Sequence, residues 1–213
     1  MNMKPLTTAS EFVIKEAAKQ EFMTMGFVGA RMTSIAKKAR VTTALLHYYF
    51  RSKENLFEIT CAEAMNSIFE AINKALKGTN KDIFSKIETI VNNYIDFNIK
   101  SPKLLMFVLN EFSHNPDRMK NLSAKLKTSE SFAVFAGQIE AGKKAGIINQ
   151  EVNPQNVFTD ILSLCFFQFT AEPFLASAFE FGENDYPKFI ENRKSAITNT
   201  IISSIKQTSI KQK

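Results

Sequence analysis

An all-α fold follows from three observations. Among 213 residues there are only seven Gly and six Pro, too few turn-formers for a loop-rich or β-rich chain. Lys, Glu, Ala, Ile, Leu and Phe fill long stretches without breakers, a composition that favours helices. Apolar residues also recur at i, i+3 and i+4 in segment after segment. With 45% apolar content the chain can bury a substantial core, which we read as about nine helices. They divide into an N-terminal three-helix domain, residues 1–53, and a helical body, residues 54–213.

Thr8-Ala9-Ser10-Glu11 reads as a capping box opening the first helix, whose Ile14, Ala17, Ala18, Phe22 and Met25 form an apolar stripe that Gly26 ends. Glu21 lies beside that stripe, and the sequence assigns it no role. Thr33 to Phe50, TSIAKKARVTTALLHYYF, has the spacing of a helix-turn-helix. Ile35, Ala36 and Ala39 face inward from one short helix, and Leu46, Tyr49 and Phe50 from the next. Between them Val41 is the apolar plug of the turn, and Thr42 is an N-cap whose hydroxyl accepts from an amide of the second helix. Thr43, Ala44, His47 and Tyr48 then face outward at the N-terminal end of that helix, where a DNA major groove would meet them.

Gly26-Phe27, Ile35-Ala36, Ala39, Val41-Thr42, Leu46, Tyr49-Phe50, Ser52-Lys53 and Leu56-Phe57 together resemble the N-terminal domain of the TetR family of bacterial one-component transcriptional regulators. The likeness spans roughly Phe12 to Phe57 and rests on about a dozen positions, where a bare helix-turn-helix would agree in four or five. Three departures stand out. Arg40 replaces the family's usual glycine, and since only Gly enters a left-handed turn freely, it costs about 1 kcal/mol or alters the turn. Ala30-Arg31 stands where relatives have Thr or Ser before the first of the two helices. His47 and Tyr48 invert the family's frequent Tyr-His order, which implies a changed base preference.

Charge follows the motif. Residues 1–53 carry nine Lys or Arg against three Glu, while residues 54–213 carry 18 of each sign. The whole +6 therefore sits on the segment that contains the helix-turn-helix, as fits a polyanion-binding head on a neutral body. Thr43, Ala44, Leu45, His47 and Tyr48 are the expected base-edge contacts, with Thr42 capping their helix. Tyr49, Lys53, Thr33 and Ser34, with Lys37 and Arg51, are the expected phosphate contacts. Lys37-Lys38 read equally well as a solvated helix face.

Beyond Ser52, a helix N-cap, an unbroken helix runs to about Lys77, where Gly78 stops it. The next runs from about Lys81 to Lys100, with Ile83, Ile87, Ile90, Val91 and Tyr94 at helical spacing. Ser101-Pro102, Asn115-Pro116 and Asn153-Pro154 each place a cap before a proline at the first helical position. They predict helices from Pro102 to about Ser113, Pro116 to about Lys144 and Pro154 to about Phe179. A last helix carries Phe189, Ile190, Ile197, Ile201 and Ile205. The Pro154–Phe179 helix is apolar nearly all round and so is covered twice. Val157, Ile161 and Leu164, with Ile197, Ile201 and Ile205, are the expected seam to a second copy, as pairing through the last two helices in TetR relatives implies. Ordinary packing within one chain is the alternative.

The body holds 14 of the 20 Phe, from Phe84 onward. Most are core, but a few polar groups lie among them, and an apolar cavity with a few fixed polar groups is what an effector site looks like. The resemblance implies such a pocket for a small hydrophobic or aromatic effector, lined by Ile87, Val91, Tyr94, Phe107, Asn110, Glu111, Phe135, Phe166, Gln168 and Phe169. The expectation is thus a homodimeric, effector-released repressor on a pseudo-palindromic operator in double-stranded DNA. A helical small-molecule-binding protein or enzyme with a non-functional helix-turn-helix, or a DNA-binding activator, are the alternative readings. No enzyme motif occurs, and neither a cofactor nor a metal is expected, since His47 and His114 lie in no cluster of ligand spacing. Cys61 and Cys165 are expected to be unpaired core residues. No uncharged stretch exceeds 11 residues and no signal peptide is evident, so a cytoplasmic protein without a membrane span is expected.

Overall fold

The computed structural model describes residues 8–78, 82–102, 104 and 115–207, and it is all-α. Ten helices occur among them: α1 Thr8–Gly29, α2 Met32–Lys38, α3 Thr43–Phe50, α4 Lys53–Lys77, α5 Ile83–Lys100, α6 Pro116–Lys125, α7 Thr128–Lys144, α8 Pro154–Thr170, α9 Glu172–Ala178 and α10 Asp185–Ile205. By contacts the chain divides into two compact units, Met1–Ser67 with Lys103–Leu126, and Ile68–Pro102 with Lys127–Lys213. The first unit thus extends past the sequence motif's end at Lys53, taking in the front of α4 and all of α6.

In the first unit α2 packs on α1 and α3 on α2. Ile14, Ala18, Phe22, Ile35, Leu46, Phe50, Leu56 and Phe57 form its buried interior. Gly26 breaks α1 at φ 66, a backbone that a side chain would strain. The inner face runs through Glu21 and Phe22 and ends there. Met25, expected on the stripe, is instead 54% exposed. Directly after the break Phe27 lies against Phe22 at 6.3 Å and edge-on to Phe57 at 5.1 Å. Its faces receive two cations, Lys53 Nζ at 4.6 Å and the Arg118 guanidinium of α6 at 3.5 Å from the ring centroid. Glu58 of α4 accepts from Lys125 at 2.7 Å and Asn121 at 3.2 Å, which fastens α6 a second time.

The expected Pro116–Lys144 helix is two helices, because Lys127 adopts a left-handed φ of 53 between α6 and α7. Asn115 contributes no side-chain cap bond, although Pro116 stands at the helix start as expected. The expected Pro154–Phe179 helix is also two. α8 and α9 bend by 73° at Ala171, where Pro173 has no amide with which to continue the ladder. Of the helix expected from Pro102, only Pro102 and Leu104 are among the described residues.

The second unit closes around one apolar cluster. Ile68, Ile72 and Leu76 of α4 meet Ile87, Val91 and Ile95 of α5, Phe135 and Ile139 of α7, Val157, Ile161 and Cys165 of α8, and Ile197, Ile201 and Ile205 of α10. Val157, Ile161, Ile197, Ile201 and Ile205, expected to face a second copy, are therefore buried inside one chain, and Leu164 is half-buried. The correction has a packing cause: α5, α7, α9 and α10 all lie against α8, so the Val157–Ile161 stripe is covered within the chain, while Phe167 on another face stays 56% exposed.

Caps set the helix limits. Asp82 accepts from the Ser85 amide at 2.9 Å and Asn153 from the Gln155 amide at 2.8 Å. Gly146, at φ 72, ends α7. The Leu76 carbonyl, at the end of α4, accepts from the buried Lys86 ammonium at 3.0 Å. Cys61 and Cys165 are buried and neither is joined in a disulfide, as expected. Burial pushes the Cys165 thiol up to about 12, which keeps it neutral and unreactive. No single helix among the described residues is long and apolar enough to cross a membrane.

Candidate nucleic-acid interface

The interface is assembled from two short helices and the turn between them. α2 ends at Ala39, where the Arg40 amide donates to the Lys37 carbonyl at 3.2 Å and the Val41 amide to the Ala36 carbonyl at 3.0 Å. This paired closure requires the residue after the cap to be left-handed, and Arg40 is, at φ 56. The family's turn is kept, then, and the cost of about 1 kcal/mol for a non-glycine falls on Arg40. Thr42 starts α3 as expected, its Oγ1 accepting from the Leu45 amide at 3.2 Å. At the far end the Asn55 side chain donates to the Phe50 carbonyl at 3.0 Å, and Ser52 caps α4 through the Asn55 amide at 3.1 Å.

With Leu46 and Phe50 buried beneath it, α3 presents Ala44, His47 and Tyr48 as exposed residues, flanked by half-buried Thr43, Leu45 and Tyr49. Tyr48 is 62% exposed, a large exposure for an aromatic side chain. Its ring lies edge-on to Tyr49 at 5.0 Å. His47 Nδ1 lies 3.3 Å from the Arg51 carbonyl, and since a carbonyl only accepts, the proton belongs on Nδ1. That leaves Nε2 as an acceptor for a base-edge amino group.

Thr33 is exposed in the first turn of α2, whereas Ser34 is half-buried. Lys53 is half-buried as well, with its ammonium donating to the Ala30 carbonyl at 3.1 Å and the Val28 carbonyl at 3.4 Å. It fastens the end of α1 in addition to any phosphate it meets. Lys37 is exposed; Lys38 is not a free cation.

Lys38 pairs instead with Glu21, the residue whose role the sequence left blank. Glu21 is 4% exposed and its carboxylate lies 2.6 Å from Lys38 Nζ. Arg31, at the N-cap of α2, makes no side-chain cap bond. Glu21 reaches across from α1 to supply the missing acceptor, taking bonds from the Arg31 amide and the Ser34 hydroxyl. Burial pushes its carboxyl up, but the bonds from Lys38, Ser34 and Arg31 outweigh burial and hold it below its ordinary value. A lone acidic residue on the inner face of α1, opposite a helix that lacks a Ser or Thr cap, was the signal in the sequence.

In the second unit Ile87, Val91, Phe135 and Gln168 are buried, and Tyr94, Phe166 and Phe169 are half-buried. Gln168 donates to the Cys165 carbonyl at 2.7 Å, and Tyr186 donates to the Gln168 carbonyl at 2.8 Å. Phe107, Asn110 and Glu111 lie outside the described residues. Sequence reasoning missed Asn98, one turn beyond Tyr94 on α5. It is 1% exposed, and neither atom of its amide has a hydrogen-bond partner among the described residues.

Residues 14–59 match the model for bacterial regulatory proteins of the tetR family, and residues 84–201 match that of the tetracyclin repressor-like C-terminal domain. The HTH-type transcriptional repressor NicS of Pseudomonas putida is 27% identical over 72% of this chain and 73% of its own length. The HTH-type transcriptional regulator RutR of Escherichia coli O157:H7 is 28% identical over 68% and 69%. The fold is also that of the transcriptional regulator FadR of Bacillus subtilis, solved in complex with stearoyl-CoA, with a TM-score of 0.71 at 16% identity over 92% of this chain and 99% of that one. A basic helix-turn-helix with its reading face exposed, joined to a C-terminal domain matched over more than half the chain, has one family: the chain belongs to the TetR family of DNA-binding transcriptional regulators.

Proposed function

We propose that this regulator is a homodimeric repressor that holds a pseudo-palindromic operator through α3 and lets go when a small hydrophobic or aromatic effector enters its second unit. The observation that carries the reading is the capped helix of a basic head, whose Ala44, His47 and Tyr48 face solvent above a closed core. Two such helices would enter successive major grooves about 34 Å apart. The repressor sign is supported by likeness to NicS, and an apolar effector by the acyl-CoA complex of the FadR neighbour. Dimer contacts would use surfaces of α8 and α10 other than the buried stripes.

Coupling needs a shared element, and α4 contributes Leu56, Phe57 and Cys61 to one interior and Ile68, Ile72 and Leu76 to the other. An effector that binds the DNA-free state better by about 1 to 3 kcal/mol weakens the operator complex roughly 5- to 150-fold. Fluorescence anisotropy with duplexes from the chain's own upstream region tests the reading. Thr43→Ala and His47→Ala should change sequence preference, whereas Tyr49→Ala should weaken all duplexes alike and, since a neutral phenol displaces no counterions, leave the salt slope unchanged. Salt-insensitive binding that none of the three alters rules the assignment out.

Asn98 supports the effector half. A buried amide with no partner costs about 1 to 3 kcal/mol, a burden a core relieves by substitution unless a ligand uses the group. Asn98→Leu, of similar volume, should therefore raise the urea midpoint of the effector-free protein. A fall in that midpoint would mean that the amide serves the fold alone.

A further inference from the structure

Two arginines bracket the reading helix, and both sit where an arginine is unfavourable. Arg40, just before α3, is left-handed at φ 56. Arg51, just after it, has φ 63 and ψ −64, with the Ser52 amide donating to the Phe50 carbonyl at 2.7 Å across it. That is a three-residue turn of the rare positive-φ kind, which strains any side-chain-bearing residue. Neither bond involves the arginine side chains, so glycine could make both turns with less strain. Both guanidinium-bearing residues are exposed, and neither forms an ion pair among the described residues. No ion pair of either guanidinium among the described residues offsets the strain. α3 has eight residues, which at 1.5 Å each is about 12 Å, close to the width of a major groove of about 12 Å.

We propose that Arg40 and Arg51 are a pair of phosphate clamps, one at each end of the reading helix, kept at strained turns because their charge meets the two backbone walls of the groove. A guanidinium suits this position because it grips a phosphate with two parallel hydrogen bonds and holds its charge at any physiological pH. Such contacts add affinity and register without reading sequence. They are distinct from the base contacts expected of Thr43, Ala44, His47 and Tyr48.

The test separates strain from charge by substituting Arg40→Gly, Arg51→Gly and the charge-keeping Arg40→Lys and Arg51→Lys in the full chain. Thermal unfolding and binding to a mixed-sequence 30-base-pair duplex are measured between about 50 and 200 mM salt, where phosphate contacts dominate. Each glycine variant should melt about 2 to 4 °C higher. Each should bind the duplex several-fold more weakly, with its log–log salt slope shallower by about 0.9. The lysine variants should retain the wild-type slope and melting temperature. A glycine variant that binds with an unchanged slope, or that melts lower, overturns the proposal, as does a lysine variant that loses the slope. If wild type binds with a steep salt dependence while the glycine variants match it, only the clamps are lost and the DNA-binding head stands.

Discussion

Glu21→Ala should destabilise the first unit by about 3 kcal/mol, because it removes the acceptor on which the start of α2 depends. α2 has seven residues, far too few to persist without tertiary support, and its own N-cap, Arg31, makes no side-chain cap bond. Without the carboxylate, the Arg31 amide and Ser34 hydroxyl lose their partner, and Lys38 loses a contact at 2.6 Å. Urea denaturation followed by circular dichroism measures the loss, and hydrogen exchange should place it in α1 to α3. Duplex binding should fall with it, since α3 packs on α2. A loss below about 0.5 kcal/mol, typical of a surface change, would show that the bonds to Glu21 do not hold this helix.

The same carboxylate gives a pH signature. Folding lowers its pKa. The stabilisation is therefore complete above the unfolded value, about 4.3 for a free Glu, and drains away as pH falls through the lower folded value. Glu21→Gln keeps the shape but no longer titrates. Wild type should lose its advantage over that variant as the solution is acidified, and parallel stability curves would contradict the assignment.

Phe27→Ala carries the other large effect, about 4 kcal/mol. The ring joins three elements, touching Phe22 of α1 and Phe57 of α4 while taking Lys53 and Arg118 on its faces. Truncation leaves a cavity and removes two cation–ring attractions of about 0.5 to 1 kcal/mol each. Phe27→Leu refills much of the volume but offers no ring. It should recover more than half of the stability in the same urea titration, with the remainder reporting the cation–ring share. Equal losses for the two variants would assign the whole effect to ring-specific contacts and contradict the cavity account.

The reading head was legible because its signals are local. Thr42 and Ser52 cap within three residues, Gly26 breaks its own helix, and outward Ala44, His47 and Tyr48 follow from a single helix's period. Even the cost at Arg40 could be stated in advance, since the turn's hydrogen bonds dictate φ whichever residue occupies it. The breaks at Lys127 and Ala171 were not legible: no glycine marks the first, and Pro173 sits two residues past the second, where it looks like an ordinary helix start.

By itself the sequence determined the all-α class, the caps, the basic head and the face that α3 turns outward, because each depends on residues a few positions apart. Only the tertiary structure decided which partner each inward face meets. Ile197, Ile201 and Ile205 close on their own chain where a seam was expected, and Glu21 finds a helix start ten residues away across the fold. Helical periodicity tells that a surface is to be buried. What buries it is set by packing between distant segments, and one helix's pattern carries no record of that.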